Sequence, residues 1–364
     1  MLNQDRGKKR QPRYKKTIII IGLIILGVFI PIFYFYFKIN YFLEKPVISE
    51  IIIRAPTNFD FSSDDEVSDF MHSIKETGIS RVSLLVKQDE DALDESDLSD
   101  NPIASGSLYY NESEYDFALP DINYDILNSV LSCAHDLDLE IYAWIPLFRD
   151  FTARTYNSSW ALEGTGDATY FIDPQYEEAR AYELSIIEEI LAYDIDGIRL
   201  DYLRYCDANS DPARTNLLTT FLSELNALNP NVPIGFYGFP PSEYYWSGQN
   251  YTAFSPYINT IHPMIYWQDK GDITNNILKT LDYVSSITKS IKEELGSLEN
   301  IIPVLSITDW VNVRGHYQTF SENKIRLYMD LIMDRLTKSA IERISLFYYG
   351  NWVNVLERLE YLNI

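Results

Sequence analysis

Arg199 and Asp201 are the residue pair whose types and spacing can do chemistry. They stand in the run Asp196-Gly197-Ile198-Arg199-Leu200-Asp201-Tyr202-Leu203-Arg204-Tyr205. There the apolar Ile198 and Leu200 alternate with the two charged residues, and a period of two is a strand signal. On a surface strand both charges would face water, with Asp201 serving as the cap of a following helix. On a barrel strand they point inward, and Ile198 and Leu200 lie under the helices. Two positions on one face are separated by roughly 6–7 Å. At that range the arginine is expected to favour an ionised aspartate, or to bind an acid group of a substrate. A carboxylate at the C-terminal end of a parallel strand is where barrel enzymes place their chemistry.

Such a pair needs a frame, and the rest of the chain predicts one. From Val47 onward, strand patterns alternate with helical ones. Strands are expected at Ile48–Arg54, Arg81–Lys87, Glu140–Phe148, the Asp196–Tyr205 run, Val232–Phe239, Thr260–Trp267, Ile301–Thr308 and Ile344–Tyr349. Helices are expected at Ser63–Thr77, Leu127–Asp138, an 18-residue stretch opened by Asp173-Pro174, Pro212–Leu228, Ile273–Leu295, Glu322–Lys338 and Trp352–Leu362. Asp89–Tyr115 and Phe151–Phe171 read as long loops. Eight strands alternating with helices predict an α/β fold, a (β/α)8 TIM barrel spanning residues 47–364.

Ahead of the barrel, residues 1–16 are basic, with seven Lys and Arg against Asp5, and Thr17–Phe37 is apolar and uncharged. That length crosses a bilayer as one helix. The positive flank precedes it, so residues 1–16 are expected in the cytoplasm and the barrel on the extracytoplasmic side. A cleaved signal peptide is the competing reading, but no small-residue cleavage site follows Pro31. The expectation is therefore a single-pass signal anchor at 17–37, a tether at 38–46, and a barrel held to the cell membrane. The chain has 364 residues and a net charge of −23, and the part beyond residue 16 is more acidic still. Such a surface argues against nucleic acid as a partner. Cys133 and Cys206 have no metal-ligand spacing and read as a single disulfide or two thiols; the four histidines are scattered. No metal and no organic cofactor is called for. Asn111, Asn157 and Asn250 head N-x-S/T sequons.

The strand-four run resembles the "DGIHLDYxRYP"-type motif of the glycosyl-hydrolase-like TIM-barrel families. More distantly it resembles the fourth strand of the alpha-amylase superfamily, where an Arg precedes the nucleophilic Asp by two positions. Ile141–Arg149 resembles the "HAWxxxxR" third strand of the same families. Trp160, Tyr170–Pro174 and Glu178-Ala179-Arg180 resemble their "EW…WLDPxxPEVR" segment, and Pro263–Trp267 their "PQxYW" sixth strand. The resemblance implies a glycoside hydrolase acting on a carbohydrate substrate, with Asp201 as nucleophile or oxocarbenium stabiliser. Leu203 stands where a chitinase-type barrel carries its catalytic Glu, which argues against that mechanism. The strand-five Glu of the alpha-amylase pattern is also missing.

Glycoside hydrolysis commonly needs a second carboxyl group. Asp269 ends strand six, Asp309 ends strand seven, Asp150 ends strand three, and Glu243 follows strand five. Asp269 is preferred over Glu243. Expected substrate-binding residues are Arg149, Arg199, Tyr202, Tyr266, Trp267 and Trp310. Of the aromatic residues, Trp267 and Trp310 lie past strand ends and are the better sugar platforms, while Trp144 and Tyr266 fit the core equally well. A barrel that binds sugar without cleaving it is the alternative, favoured by the missing strand-five Glu.

Overall fold

The computed structural model describes residues 45–53, 64–87, 126–206, 211–243, 246–270, 274–308, 310–313, 316–348 and 352–362. The expected membrane span, the tether up to residue 44 and the whole acidic 89–115 stretch, Asn111 included, lie outside the described residues. Among the described residues, no helix is long and apolar enough to cross a membrane.

Eight parallel strands close into a barrel. They are β1 (Val47–Ile53), β2 (Arg81–Leu85), β3 (Glu140–Pro146), β4 (Gly197–Asp201), β5 (Ile234–Gly238), β6 (Thr260–Ile265), β7 (Val304–Ser306) and, as the last barrel strand, β10 (Arg343–Tyr348). Neighbours follow chain order around the ring, and β10 closes on β1, pairing Ile51 with Leu346 and Ile53 with Tyr348. Helices α1 (Asp64–Glu76), α2 (Ile126–Asp136), α4 (Glu177–Leu191), α5 (Pro212–Ala227), α7 (Ile277–Leu295), α8 (Glu322–Lys338) and α9 (Trp352–Leu362) connect the strands or close the chain. Their apolar sides join the outward residues of the sheet in the core. Ile198 and Leu200 of β4 are completely buried there.

Several short elements were not expected. A short helix α3 (Phe151–Tyr156) and two 3-10 turns occupy the predicted 151–171 loop, and a four-residue helix α6 (Tyr251–Phe254) precedes β6. An antiparallel hairpin of β8 (Trp310–Val313) and β9 (His316–Thr319) follows β7. Its Val311, Val313 and Tyr317 alternate with polar residues, a pattern the strand-seven reading did not extend into. The helix expected to open at Asp173-Pro174 begins instead at Glu177. Asp173 accepts from the Gln175 backbone N–H at 2.9 Å and from the Tyr205 hydroxyl at 3.2 Å, holding a turn ahead of the helix. Cys133 and Cys206 are not joined to each other by a disulfide.

The barrel interior is polar at mid-height. Glu50, fully buried on β1, accepts from Arg199 Nη2 at 2.7 Å and Nε at 3.2 Å, and from the Tyr237 hydroxyl at 3.0 Å. Arg81 Nη1 stands 3.7 Å from the same carboxylate. The Tyr142 ring lies under both guanidinium groups, 4.1 Å from Arg199 and 4.2 Å from Arg81. Burial alone would push the Glu50 carboxyl up, but the Arg199 charge, with His262 and Arg81, holds it down at about 2. His262 is pushed well below its ordinary value by burial and by Arg199. Two glycines make room for this layer. A Cβ at Gly197 would overlap the Tyr142 ring, and one at Gly235 would lie 2.8 Å from Arg199 Nη1.

A second buried cluster ties β2 and β3 to α4. Lys87 Nζ reaches the two Glu183 oxygens at 2.9 and 2.8 Å and Asp150 Oδ2 at 2.9 Å. Burial pushes the Glu183 carboxyl up to about 7, against the pull of Lys87. Lys87 itself is raised, because the Asp150 and Glu183 charges outweigh its burial.

Candidate active site

Asp201 ends β4 and faces inward, one layer above Arg199. It is 6% exposed, at the C-terminal mouth of the barrel. Trp144 Nε1 donates to Oδ2 at 3.1 Å, the Tyr202 backbone N–H donates to Oδ1 at 2.6 Å, and Arg204 Nη1 stands 3.5 Å from Oδ1. The β3–β4 register explains the tryptophan contact: Trp144 lies opposite Arg199 and Pro146 opposite Asp201, so the indole reaches up one step to the carboxylate. Trp144 is fixed edge-on by Tyr237 at 6.0 Å and by Phe347 at 6.1 Å. Phe347 in turn stacks on Tyr266 at 5.5 Å. Asp201 therefore sits in an aromatic-lined mouth with three N–H donors facing it.

After Asp201 the chain turns sharply. Tyr202 adopts φ +51°, the left-handed region, at a cost of about 1 kcal/mol for a residue with a Cβ. The turn is closed by the Arg204 N–H donating to Tyr202 O at 2.7 Å. It stacks Arg204 over the Tyr202 ring at 4.2 Å and over Phe239 at 4.4 Å. Arg149 lies over Tyr170 and over Tyr202, 5.3 Å from each. Phe239 also packs against Trp246 at 5.1 Å. The rim is thus a run of arginines and aromatic rings beside Asp201.

The structure brings Asp201, Tyr202 and Arg149 to this mouth, together with Tyr266. It corrects two other expectations. Arg199 does not stand against Asp201 or reach a substrate: it is 1% exposed and paired with Glu50. The cation beside Asp201 is Arg204, three residues on. Trp267 is no sugar platform but core, completely buried and stacked on Tyr328 of α8 at 4.5 Å. The in-and-out alternation of β6 runs on past Ile265, so Tyr266 faces the mouth and Trp267 faces the helices.

Of the candidate partner carboxylates, Asp150 is tied to Lys87, accepts from the Tyr182 hydroxyl at 3.0 Å and caps α3 through Ala153 N at 2.7 Å. Glu243 is tied to Lys270 and to the Tyr283 hydroxyl, each at 2.8 Å. Asp309 lies outside the described residues. Asp269 closes a 3-10 turn (Trp267–Asp269) and Trp310 opens β8; their side chains are outside the description.

Sequence reasoning missed Glu50 and Arg204. A lone acid in the apolar run Ile48–Ile53 was the available signal for the first. Arg204 was part of the quoted motif but fell outside the strand alternation.

The fold is a (β/α)8 barrel with a carboxylate at the C-terminal mouth of its fourth strand. The family described as "Putative glycosyl hydrolase domain" matches residues 57–339, and the chain belongs to that family. An S-layer-related protein of Niallia circulans is 27% identical over 180 residues, which cover 42% of this chain and 11% of that much longer protein. Among solved structures, the endo-1,4-beta-mannanase of Rhizomucor miehei superposes with a TM-score of 0.53 at 10% identity, covering 83% of this chain and 88% of the mannanase. A noncanonic maltogenic alpha-amylase of Thermotoga neapolitana superposes with a TM-score of 0.50 at 13% identity, covering 84% of this chain and 67% of that enzyme. At these identities the two superpositions establish the shared barrel.

Proposed function

We propose that the chain is a membrane-anchored, extracytoplasmic glycoside hydrolase acting on a polysaccharide or other glycan. The observation that carries this reading is the Asp201 carboxylate at the strand-four mouth, held by Trp144 inside an aromatic lining. In this reading Asp201 attacks the anomeric carbon or stabilises the oxocarbenium ion, and Asp269 or Asp309 protonates the leaving oxygen. The stacked Tyr266 and Phe347 rings and the rim ring of Tyr202 offer flat faces for sugar C–H groups. Arg149 contributes a donor at the rim. Trp310 remains a proposed sugar contact. Family membership supports the hydrolase reading, and the S-layer-related relative is consistent with a place at the cell surface.

The test is hydrolysis of polysaccharides and aryl glycosides by the full-length chain beside Asp201→Asn. Release by the wild type and a loss of about 10³-fold or more in the variant would support the assignment. Equal rates would remove Asp201 from the mechanism. One observation favours a second reading, a sugar-binding barrel without catalysis. Asp150 and Glu243, two of the four candidate partners, are engaged in ion pairs. Glycan retention without release would support that alternative. Membrane pelleting of the full-length chain, against solubility of a chain lacking residues 1–45, tests the anchor.

A further inference from the structure

Arg204 is packed between two aromatic rings, with its Cζ 4.2 Å from the Tyr202 centroid and 4.4 Å from that of Phe239. Its side chain is 12% exposed. Among the described residues, the guanidinium's one polar contact is the long 3.5 Å approach to Asp201. Two buried arginines of this barrel have a carboxylate along one edge instead. Arg199 has Glu50 at 2.7 and 3.2 Å, and Arg180 has Glu224 at 2.9 and 3.0 Å. A guanidinium carries five N–H donors in one plane. At Arg204 two aromatic rings lie against the guanidinium, and its Nη1 stands beside Asp201 at the mouth. Beyond Asp201 these donors have no protein acceptor among the described residues, and a ligand bearing oxygen acceptors can take them in charge-assisted hydrogen bonds.

We infer that Arg204 receives a carboxylate of the bound sugar, so that the substrate is an acidic glycan built from uronic-acid-type units. The inference rests on the glycan reading above and specifies its substrate class. A carboxylate is planar and pairs with the in-plane edge of a guanidinium through two parallel hydrogen bonds. A slot bounded by two rings admits that flat group. The out-of-plane oxygens of a sulfate or phosphate would meet the rings. Arg149, 5.3 Å from the same Tyr202 ring, adds a second positive charge at the rim.

The experiment uses the full-length chain in neutral detergent and measures Kd for matched oligosaccharides. The set contains oligouronides, the same oligomers with each carboxyl reduced to hydroxymethyl, sulfated oligosaccharides, and neutral glucans and mannans. Wild type is expected to bind an oligouronide at least about 10-fold more tightly than its reduced twin, the scale of one charge-assisted pair. Arg204→Gln is expected to erase that preference while leaving the reduced twin within about 3-fold. The comparison of twins on wild type needs no variant and so survives a folding defect. Reduced or neutral glycans bound as tightly as uronides would overturn the inference and leave the glycan reading standing. Tighter binding of the sulfated set would also overturn it. Failure of every glycan to bind or be cleaved would overturn both readings together.

Discussion

At the scale of single residues, the Glu50–Arg199 pair is the most consequential buried interaction in the barrel. Removing one partner leaves the other charged and dry. Glu50→Ala is therefore expected to destabilise the barrel by about 3–5 kcal/mol, and joint replacement of both residues by apolar ones to cost less than that single change. Urea midpoints of the three variants check this. The pair also sets a pH dependence. The folded Glu50 carboxyl, at about 2, lies below its ordinary value of 4.5. Its contribution is fully present above pH 4.5 and is lost as the pH falls through 2. Glu183 behaves oppositely. Raised to about 7, it contributes stability that is complete below 4.5 and is lost as the pH rises through 7. Thermal unfolding followed from pH 4.5 to 8 should show Tm declining across that window in the wild type. Glu183→Gln, which imitates the protonated acid, should flatten the decline; an unchanged slope would remove Glu183 as its source. The place of Asp201 at the end of an inward-facing strand was legible at this scale from the strand alternation alone. Glu50 as the partner of Arg199 was not, because nothing in a sequence says which of eight strands lies across a barrel.

At the scale of elements, alternation carried most of the information, and its phase mattered more than the element boundary. β4 has Arg199 and Asp201 inward and Ile198 and Leu200 outward, as a barrel strand requires. Strand six was expected to run through Trp267, which was nevertheless read as a platform past the strand end, whereas the observed β6 stops at Ile265. Yet the phase still put Tyr266 inside and Trp267 under α8. Trp144 and Trp267 therefore exchange roles. Trp267→Ala should behave as a core deletion of about 3–5 kcal/mol, with glycan affinity unchanged in the molecules that remain folded. Trp144→Phe keeps the ring but removes the N–H that faces Asp201. It should leave unfolding within about 1.5 kcal/mol of wild type while lowering kcat on any cleaved glycoside. Calorimetry beside initial rates separates the two, and a stable but inactive Trp267 variant would return that residue to the site. Helices were readable wherever an apolar face met clear ends, and α8 and α9 coincide with their expected spans. The β8–β9 hairpin escaped because its alternating run is only four residues long on each side and begins three residues after β7.

At the scale of the whole molecule, the repeated strand–helix order predicted a closed ring, and the strand order confirms one. Net charge is the other whole-chain property, and it works against the acidic substrate inferred for the mouth. A chain of −23 repels an oligouronide at a distance, whereas Arg149 and Arg204 attract it only on arrival. Screening separates these two ranges. The Debye length is about 30 Å at 0.01 M salt and about 8 Å at 0.15 M. Raising salt across that interval shrinks the reach of the general repulsion below the dimensions of the barrel. The contact between a sheltered guanidinium and a carboxylate is screened far less. The association rate of an oligouronide is accordingly expected to rise several-fold from 0.01 to 0.15 M salt, while its dissociation rate changes little. A basic rim on a neutral protein would show the reverse. Surface-plasmon kinetics at four salt concentrations, with the carboxyl-reduced twin as a salt-insensitive control, reads the sign directly. An association rate that falls with salt would mean that the field at the mouth is positive out to long range, and that the acidic surface does not govern how this substrate approaches.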